Sequence, residues 1–133
     1  MAGMQSMELQ DLGWGPEQIS ILTESLPFAK ALKQLALDYN PIGPRGAALL
    51  AKSLPQCQRL QEMHMIGVKL QDEGVEALCT ALPQTTLALL DIKRNNITSR
   101  GAQVPGFSQD CDRSWLLSPV LWWHVEAIRN TQT

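Results

Sequence analysis

The sequence predicts an α/β solenoid of about four units, each contributing one short strand and one helix. Three observations predict it: a repeat of 27–28 residues, a period-two apolar pattern early in each unit, and a helical apolar stripe later in it. A unit of this size cannot bury its own apolar face, so neighbouring units stack and share a core. Parallel strands then line a concave face, and the helices, which need more lateral room, form the convex side of a horseshoe arc.

The strand half of each unit carries apolar residues at offsets 0, 3, 5 and 10 from the start of the unit. The units begin near residues 4, 32, 60 and 87, and their apolar residues are, in chain order, Met4, Met7, Leu9, Trp14; Leu32, Leu35, Leu37, Ile42; Leu60, Met63, Met65, Leu70; and Leu87, Leu90, Ile92, Ile97. The alternation at offsets 3 and 5 is the strand period. Each unit is therefore expected to open with a strand.

The second half of each unit has apolar residues three and four apart. Val75, Leu78 and Leu82 show this spacing in the third unit, and it is the spacing of one helix face. Pro27, Pro55 and Pro83 follow the three stripes, where a proline cannot continue a helix. The pattern predicts one helix per unit, ending near each proline.

The resulting pattern, L-x-x-L-x-L-x-x-N-x-I followed by G-A-x-x-L-A-x-x-L, resembles the leucine-rich repeats of the ribonuclease-inhibitor type. Repeats of this type also form regions of NLR innate immune receptors and Ran GTPase activators. The resemblance covers residues 4–103 and is clearest over 32–101. Offset 8 holds Asn40 and Asn95 in alternate units, and the resemblance implies that these side chains bond backbone groups inside the turn.

Residues 4–103 are the predicted repeat domain, and residues 104–133 are a divergent tail. The run Gln103-Val104-Pro105-Gly106 interrupts the helix expected for the fourth unit. The tail contains three of the four tryptophans, Trp115, Trp122 and Trp123. Two interpretations stay open: a capping helix near 119–129 that closes the solenoid, or a poorly ordered tail foreign to the repeat.

The composition is that of a globular chain, with 44% hydrophobic and 18% charged residues. A net charge of −2 argues against a general nucleic-acid binder. No apolar run reaches the roughly 20 residues that span a bilayer, and the first residues do not resemble a signal peptide. The three cysteines, an odd number, favour reduced thiols, so we expect a cytoplasmic protein, with a nuclear location as the alternative.

No catalytic or ligand-binding motif stands out. Gly13-Trp14-Gly15 lacks the spacing and the lysine of a phosphate loop. Cys57, Cys79, His64 and His124 do not have the spacing of metal ligands. The sequence therefore predicts no enzyme activity, no cofactor and no metal site.

The residues between the buried leucines of each strand point outward on the concave side. The candidate protein-binding residues there are Asp38, Tyr39, His64, Ile66, Asp91, Lys93 and Arg94. Tyrosine and arginine are enriched among interface hot spots, which makes Tyr39 and Arg94 the expected anchors.

Two functions follow from this pattern. The first is a non-enzymatic module or scaffold that binds a protein partner through the concave face. The second is a fragment or short isoform of a larger regulatory protein, either an NLR-like receptor or a GTPase activator, that acts only with its missing domains. For the activator, Arg45, Arg94 and Arg100 are the arginines in turn regions that could reach a phosphoryl group.

Overall fold

The computed structural model describes residues 3–98 and Arg100, which form four strands, three α-helices and three short 3₁₀ turns. In chain order the elements are β1 (Ser6–Glu8), α1 (Pro16–Ser25), a turn at Leu26–Phe28, β2 (Gln34–Ala36), α2 (Gly43–Ser53), a turn at Leu54–Gln56, β3 (Glu62–His64), α3 (Gln71–Ala81), a turn at Leu82–Gln84, and β4 (Leu89–Asp91). Strand and helix alternate, as the repeat predicts.

The four strands form one parallel sheet in the order β1-β2-β3-β4. Met7 lies opposite Leu35, Leu35 opposite Met63, and Met63 opposite Leu90. These are the residues at offset 3 of the four units, so the structure confirms the repeat alignment residue by residue. Helix α2 packs between α1 and α3 on one side of this sheet.

The core runs through the stack between the sheet and the helices. Leu35, Leu37 and their counterparts in the third and fourth units are buried. In the first unit the equivalent positions are more open: Met4 is 40% exposed, and Met7 and Leu9 are only half-buried. Each later unit is covered by the one before it, and the first unit has no such neighbour among the described residues.

The helices end where the prolines predict, with one addition. The α-helices stop at Ser25, Ser53 and Ala81, and each continues into a 3₁₀ turn whose second residue is the proline. The leucine that opens each turn is buried. A proline is tolerated near the start of a helical turn because the N–H that it lacks there would have no intrahelical partner.

The two asparagines at offset 8 are fully buried and join neighbouring units. Asn40 Oδ1 accepts hydrogen bonds from the backbone of Leu12, at 2.9 Å, and of Trp14, at 3.1 Å. Its Nδ2 donates to the carbonyls of Leu9, at 2.8 Å, and Leu37, at 2.9 Å. The side chain therefore satisfies its own turn, as the resemblance implies, and also the turn of the preceding unit.

Asn95 does the same for the third unit. Its partners are Val68 and Leu70, which donate backbone N–H groups at 2.8 and 3.2 Å, and the carbonyls of Met65, Ile92 and Lys93, which accept at 2.7, 2.8 and 3.0 Å. Buried backbone groups must find partners, and a primary amide offers two donors and one acceptor in a compact group.

The predicted tail over 104–133, the capping helix near 119–129 and the final residues of the repeat domain at 101–103 lie outside the described residues. Within residues 3–98, no helix has the length and apolar character needed to cross a membrane.

Candidate protein-binding face

The sheet face turned away from the helices is here called the concave face. Equivalent residues of the four strands lie side by side on it and form columns that run across the sheet. Glu8, Ala36, His64 and Asp91 lie in register across the four strands. Two further columns, at offsets 2 and 6, share the face because strand side chains alternate: Ser6, Gln34, Glu62, Leu89 and Gln10, Asp38, Ile66, Lys93.

The backbone ladder continues beyond the short strands, so the offset-6 residues are also hydrogen-bonded to the neighbouring units. The N–H of Tyr39 donates to the carbonyl of Ile66 at 2.8 Å, and the N–H of Gly67 donates to that of Lys93 at 3.0 Å. These bonds place each predicted residue next to its counterpart in the following unit.

The chain turns away from the sheet at offset 7 through a left-handed residue in every unit. Asp11, Tyr39, Gly67 and Arg94 have φ values of 54°, 60°, 64° and 57°. Side chains rarely adopt this conformation, which costs non-glycine residues of order 1 kcal/mol. Repeating it in four units sets a line of turn side chains along the edge of the concave face.

Tyr39, a predicted anchor, is 51% exposed. A Cβ atom built on Gly67 would lie 2.9 Å from Tyr39 Cδ1, so the ring rests directly on the glycine of the next unit. The glycine allows both the left-handed turn and this close approach. The ring thus packs on the backbone at Gly67 while about half of its surface stays open to solvent.

Asp38 serves the fold as well as the surface. It is half-buried, and its Oδ1 accepts the backbone N–H of Ile66 at 2.7 Å. The sequence identifies Asp38 as an outward residue but gives no sign of this bond between units, because the bond depends on the neighbouring turn.

Asp91 differs from the expectation of a solvated residue. It lies at the predicted place on the concave face but is only 6% exposed. Its Oδ2 is 3.5 Å from Lys93 Nζ, and its Oδ1 accepts the backbone N–H of Lys93 at 3.3 Å. The carboxylate folds onto Lys93 instead of extending into solvent, so of the three residues predicted in the fourth unit Lys93 and Arg94 are the accessible ones.

His64 and Ile66 are half-buried and accessible from the concave side, as predicted. The structure adds two neighbours that the sequence reasoning missed. Glu62 Oε2 accepts a 2.8 Å hydrogen bond from Gln34 Nε2 and lies 3.7 Å from His64 Nε2. The same period-two pattern, followed one step further back along each strand, would have identified both residues.

A depression of about 200 Å³ lies on the concave face across the first three strands. Its lining residues are Ser6, Met7, Glu8, Gln10, Gln34, Ala36, Asp38 and His64. Ala36 lies in register between Glu8 and His64, so the smallest side chain of the column stands between two larger ones.

The two cysteines in the described part of the chain occupy structural positions. Cys79 is buried in α3, and Cys57 is half-buried after the second 3₁₀ turn, with its Sγ 3.6 Å from the carbonyl of Ser53. Burial raises the pKa of the Cys57 thiol, and the contact with Ser53 and the charge of Lys30 oppose this only in part. In the described part of the chain, no three His, Cys, Asp or Glu side chains are grouped to hold a metal ion.

Comparisons with known proteins agree with this geometry. The family model described as "Leucine Rich repeat" matches residues 30–51 and 84–104, which contain β2 and β4. No curated protein matches the sequence.

The solved structure of "Leiomodin-1 Actin-Binding Site 2 (ABS2)" superposes with a TM-score of 0.62 at 22% sequence identity. The match covers 67% of this chain and 53% of that one, so this chain spans about half of the leiomodin-1 structure. With the matched repeats and the single parallel sheet, this likeness shows that the chain folds as a short α/β leucine-rich-repeat solenoid.

Proposed function

We propose that this protein is a non-enzymatic interaction module that binds a protein partner through its concave face. The observation that carries the proposal is Tyr39, an aromatic side chain held against Gly67 yet 51% exposed. Single exposed apolar residues are common, but an exposed aromatic ring packed on the backbone at the edge of an open sheet face is typical of an interface anchor.

In this mechanism, a backbone that is already ordered presents the contact residues to the partner. The outward residues stand on one parallel sheet, in which β2 and β3 are bonded to a described strand on both sides and β1 and β4 on one, and the buried Asn40 and Asn95 hold the turns. Binding then orders few backbone groups, so little of the interaction free energy is lost to ordering. Tyr39 and Arg94 act as anchors, and His64, Ile66 and Lys93 extend the surface between them.

The comparisons support protein binding as the use of this fold. The similar leiomodin-1 structure is, by its name, an actin-binding site of that protein. We also propose that the repeats are of the ribonuclease-inhibitor type, on the basis of their 27–28-residue period and alternating asparagines, and that the protein acts in the cytoplasm.

Affinity capture with two matched variants tests this proposal. The full chain is immobilised, and bound proteins are compared by mass spectrometry between wild type, Tyr39→Ala with Arg94→Ala on the concave face, and Lys52→Ala with Glu76→Ala on α2 and α3. We expect a specific partner to be lost from the concave variant and retained by the helix variant. Equal capture by both variants would place the binding surface elsewhere.

A second candidate is a part of a larger regulatory protein, such as an NLR-like receptor or a GTPase activator. The exposed core positions of the first unit favour it: Leu12 is 51% exposed, whereas its counterparts Asn40, Val68 and Asn95 are buried. For the activator, the purified chain is added to a panel of small GTPases. Faster GTP hydrolysis that is lost in Arg94→Ala or Arg100→Ala supports that role, and unchanged hydrolysis across the panel removes it.

A further inference from the structure

Resting on the proposed function, we propose that the depression over Ala36 binds a cationic side chain of the partner protein, with arginine as the best fit. The partner segment then lies across β1, β2 and β3 and inserts this side chain between Glu8 and Asp38. The shape of the depression, the carboxylates that line it and an exposed aromatic ring on the same face support this assignment.

The shape of the depression suits one long side chain. Its floor is Ala36, and its walls come from the neighbouring strands, with Glu8 on one side and His64 on the other. The volume of about 200 Å³ is below the roughly 300–1,000 Å³ typical of a small-molecule pocket. A side chain presented by a docked protein is therefore the fitting occupant.

The charge of the depression selects a cation. Glu8 and Asp38 both line it, and in the part of the chain that the structure describes neither forms an ion pair with a lysine or arginine. Asp38 uses Oδ1 for the N–H of Ile66, which leaves Oδ2 for a partner. These carboxylates lack a compensating charge that a partner can supply.

The ion-paired acids elsewhere in the chain show the contrast. Asp91 is paired with Lys93, and Asp72 and Glu73 are paired with Arg100. The carboxylates that line the depression stay open to an external cation, whereas the fourth unit presents Lys93 and Arg94. The concave face is thus acidic over the first three units and basic at the fourth, within the described residues.

Arginine fits better than lysine for a geometric reason. A guanidinium group carries five N–H donors in a planar fork and can bond two carboxylates at once, whereas an ammonium group acts as a point charge. Tyr39, the residue after Asp38, does not line the depression, but its exposed ring lies at the edge of the same face and offers a partner segment an aromatic surface on which an arginine plane stacks.

The test is an NMR titration of the full ¹⁵N-labelled chain with N-acetyl-arginine amide, and with N-acetyl-citrulline amide, which has nearly the same shape but no charge. We expect saturable shifts of the amides of Ala36, His64 and Ile66 with the arginine compound alone, weakening as salt is raised. The Ile66 amide is informative because it donates to Asp38.

Three variants sharpen the result. Glu8→Gln should weaken arginine binding about threefold, as expected for one partly exposed ion pair, and Ala36→Leu should abolish it by filling the depression. Glu17→Gln removes an exposed acid on α1 and should leave the titration unchanged. If Ala36→Leu alters the fold, as its amide spectrum would show, the comparison of Glu8→Gln with Glu17→Gln still decides.

The outcomes separate this proposal from the proposed function. The cation site is overturned if the chain responds equally to the arginine and citrulline compounds, or if Glu8→Gln binds the arginine compound like wild type. The proposed interaction module would still be supported if the variant with Tyr39→Ala and Arg94→Ala loses the captured partner. A saturable NMR response that depends on charge supports the cation site by itself. If affinity capture is also unchanged by Tyr39→Ala with Arg94→Ala, the cation site stands but those two residues are not the anchors.

Discussion

The carboxylate of Asp38 accepts the backbone N–H of Ile66 at 2.7 Å, so one side chain both lies on the concave face and joins the second unit to the third. Its charge and its role as an acceptor can be separated chemically. Asparagine keeps the oxygen and loses the charge, whereas alanine loses both.

We therefore predict that Asp38→Ala lowers the free energy of unfolding by about 1–2 kcal/mol, because the half-buried N–H of Ile66 loses its partner. Asp38→Asn should stay within about 0.5 kcal/mol of wild type. Urea denaturation followed by circular dichroism measures both variants. Equal destabilisation by the two substitutions would show that the charge, and not the hydrogen bond, joins the units.

The buried asparagine ladder gives a second prediction. Asn95→Asp replaces an amide that donates to three carbonyls with a carboxylate that cannot, and it buries a charge. We expect a loss of at least about 3 kcal/mol. Asn96→Asp, at the exposed neighbouring residue, is the matched control and should change stability by less than about 0.5 kcal/mol.

Hydrogen exchange measured by mass spectrometry locates this loss. Because the stability of a solenoid is the sum of its units and their interfaces, protection should fall first in the third and fourth units. Uniform loss of protection along residues 3–98 would instead mean that the chain unfolds as a single cooperative unit.

The contact between Tyr39 and Gly67 gives a third prediction. Gly67→Ala and Gly43→Ala both place a side chain at a left-handed residue, with φ of 64° and 69°, and each should cost about 1 kcal/mol. The added methyl group meets the Tyr39 ring at Gly67 but has no atom within 4 Å at Gly43. Gly67→Ala should therefore move the ring, and Gly43→Ala should not.

Tyr39 is the only tyrosine in the chain, so fluorotyrosine labelling yields one ¹⁹F resonance that reports on its ring. We expect this resonance to shift in Gly67→Ala and to stay in place in Gly43→Ala. If both variants leave it unchanged, the ring does not rest on Gly67 in solution.

Cys57 gives a prediction on pH. Burial raises the pKa of its thiol in the folded chain above the unfolded value, so the folded state favours the neutral form. The associated stability is complete below the unfolded pKa and is lost as pH rises through the folded pKa. Iodoacetamide should therefore alkylate Cys57 more slowly in the folded chain than in urea at the same alkaline pH.

Peptide mass spectrometry resolves Cys57 from the other cysteines. The free energy of unfolding should fall less at alkaline pH in Cys57→Ser than in wild type, because serine has no thiol to ionise. Alkylation of Cys57 at the unfolded rate would mean that its thiol is not shielded by the fold.

Much of this fold could be predicted because it repeats. Leu35, Met63 and Leu90 recur at a constant offset, and the parallel register places them side by side as the repeat requires. The outward columns at offsets 2, 4 and 6 follow from the same period, which is why His64 lies where the pattern predicts it. Tyr39, at offset 7, departs from the period, and the left-handed turn there brings it to the edge of the concave face.

The site was predicted less completely. The bond between Asp38 and Ile66, the folding of Asp91 onto Lys93, and the depression over Ala36 depend on neighbouring units that are 27–28 residues away in the sequence. A repeat pattern describes which residues face outward, but it carries no information on which side-chain rotamer each adopts or which neighbour it meets.

The fold class, the strand register and the outward residues at offsets 2, 4 and 6 all follow from the period of the apolar residues, so the amino-acid sequence is enough to predict them. Which of the outward side chains stay exposed depends instead on how the units stack. Stacking brings polar side chains of adjacent units together, and hydrogen bonding and ion pairing then engage Asp38 and bury Asp91 while Tyr39 and Arg94 stay exposed.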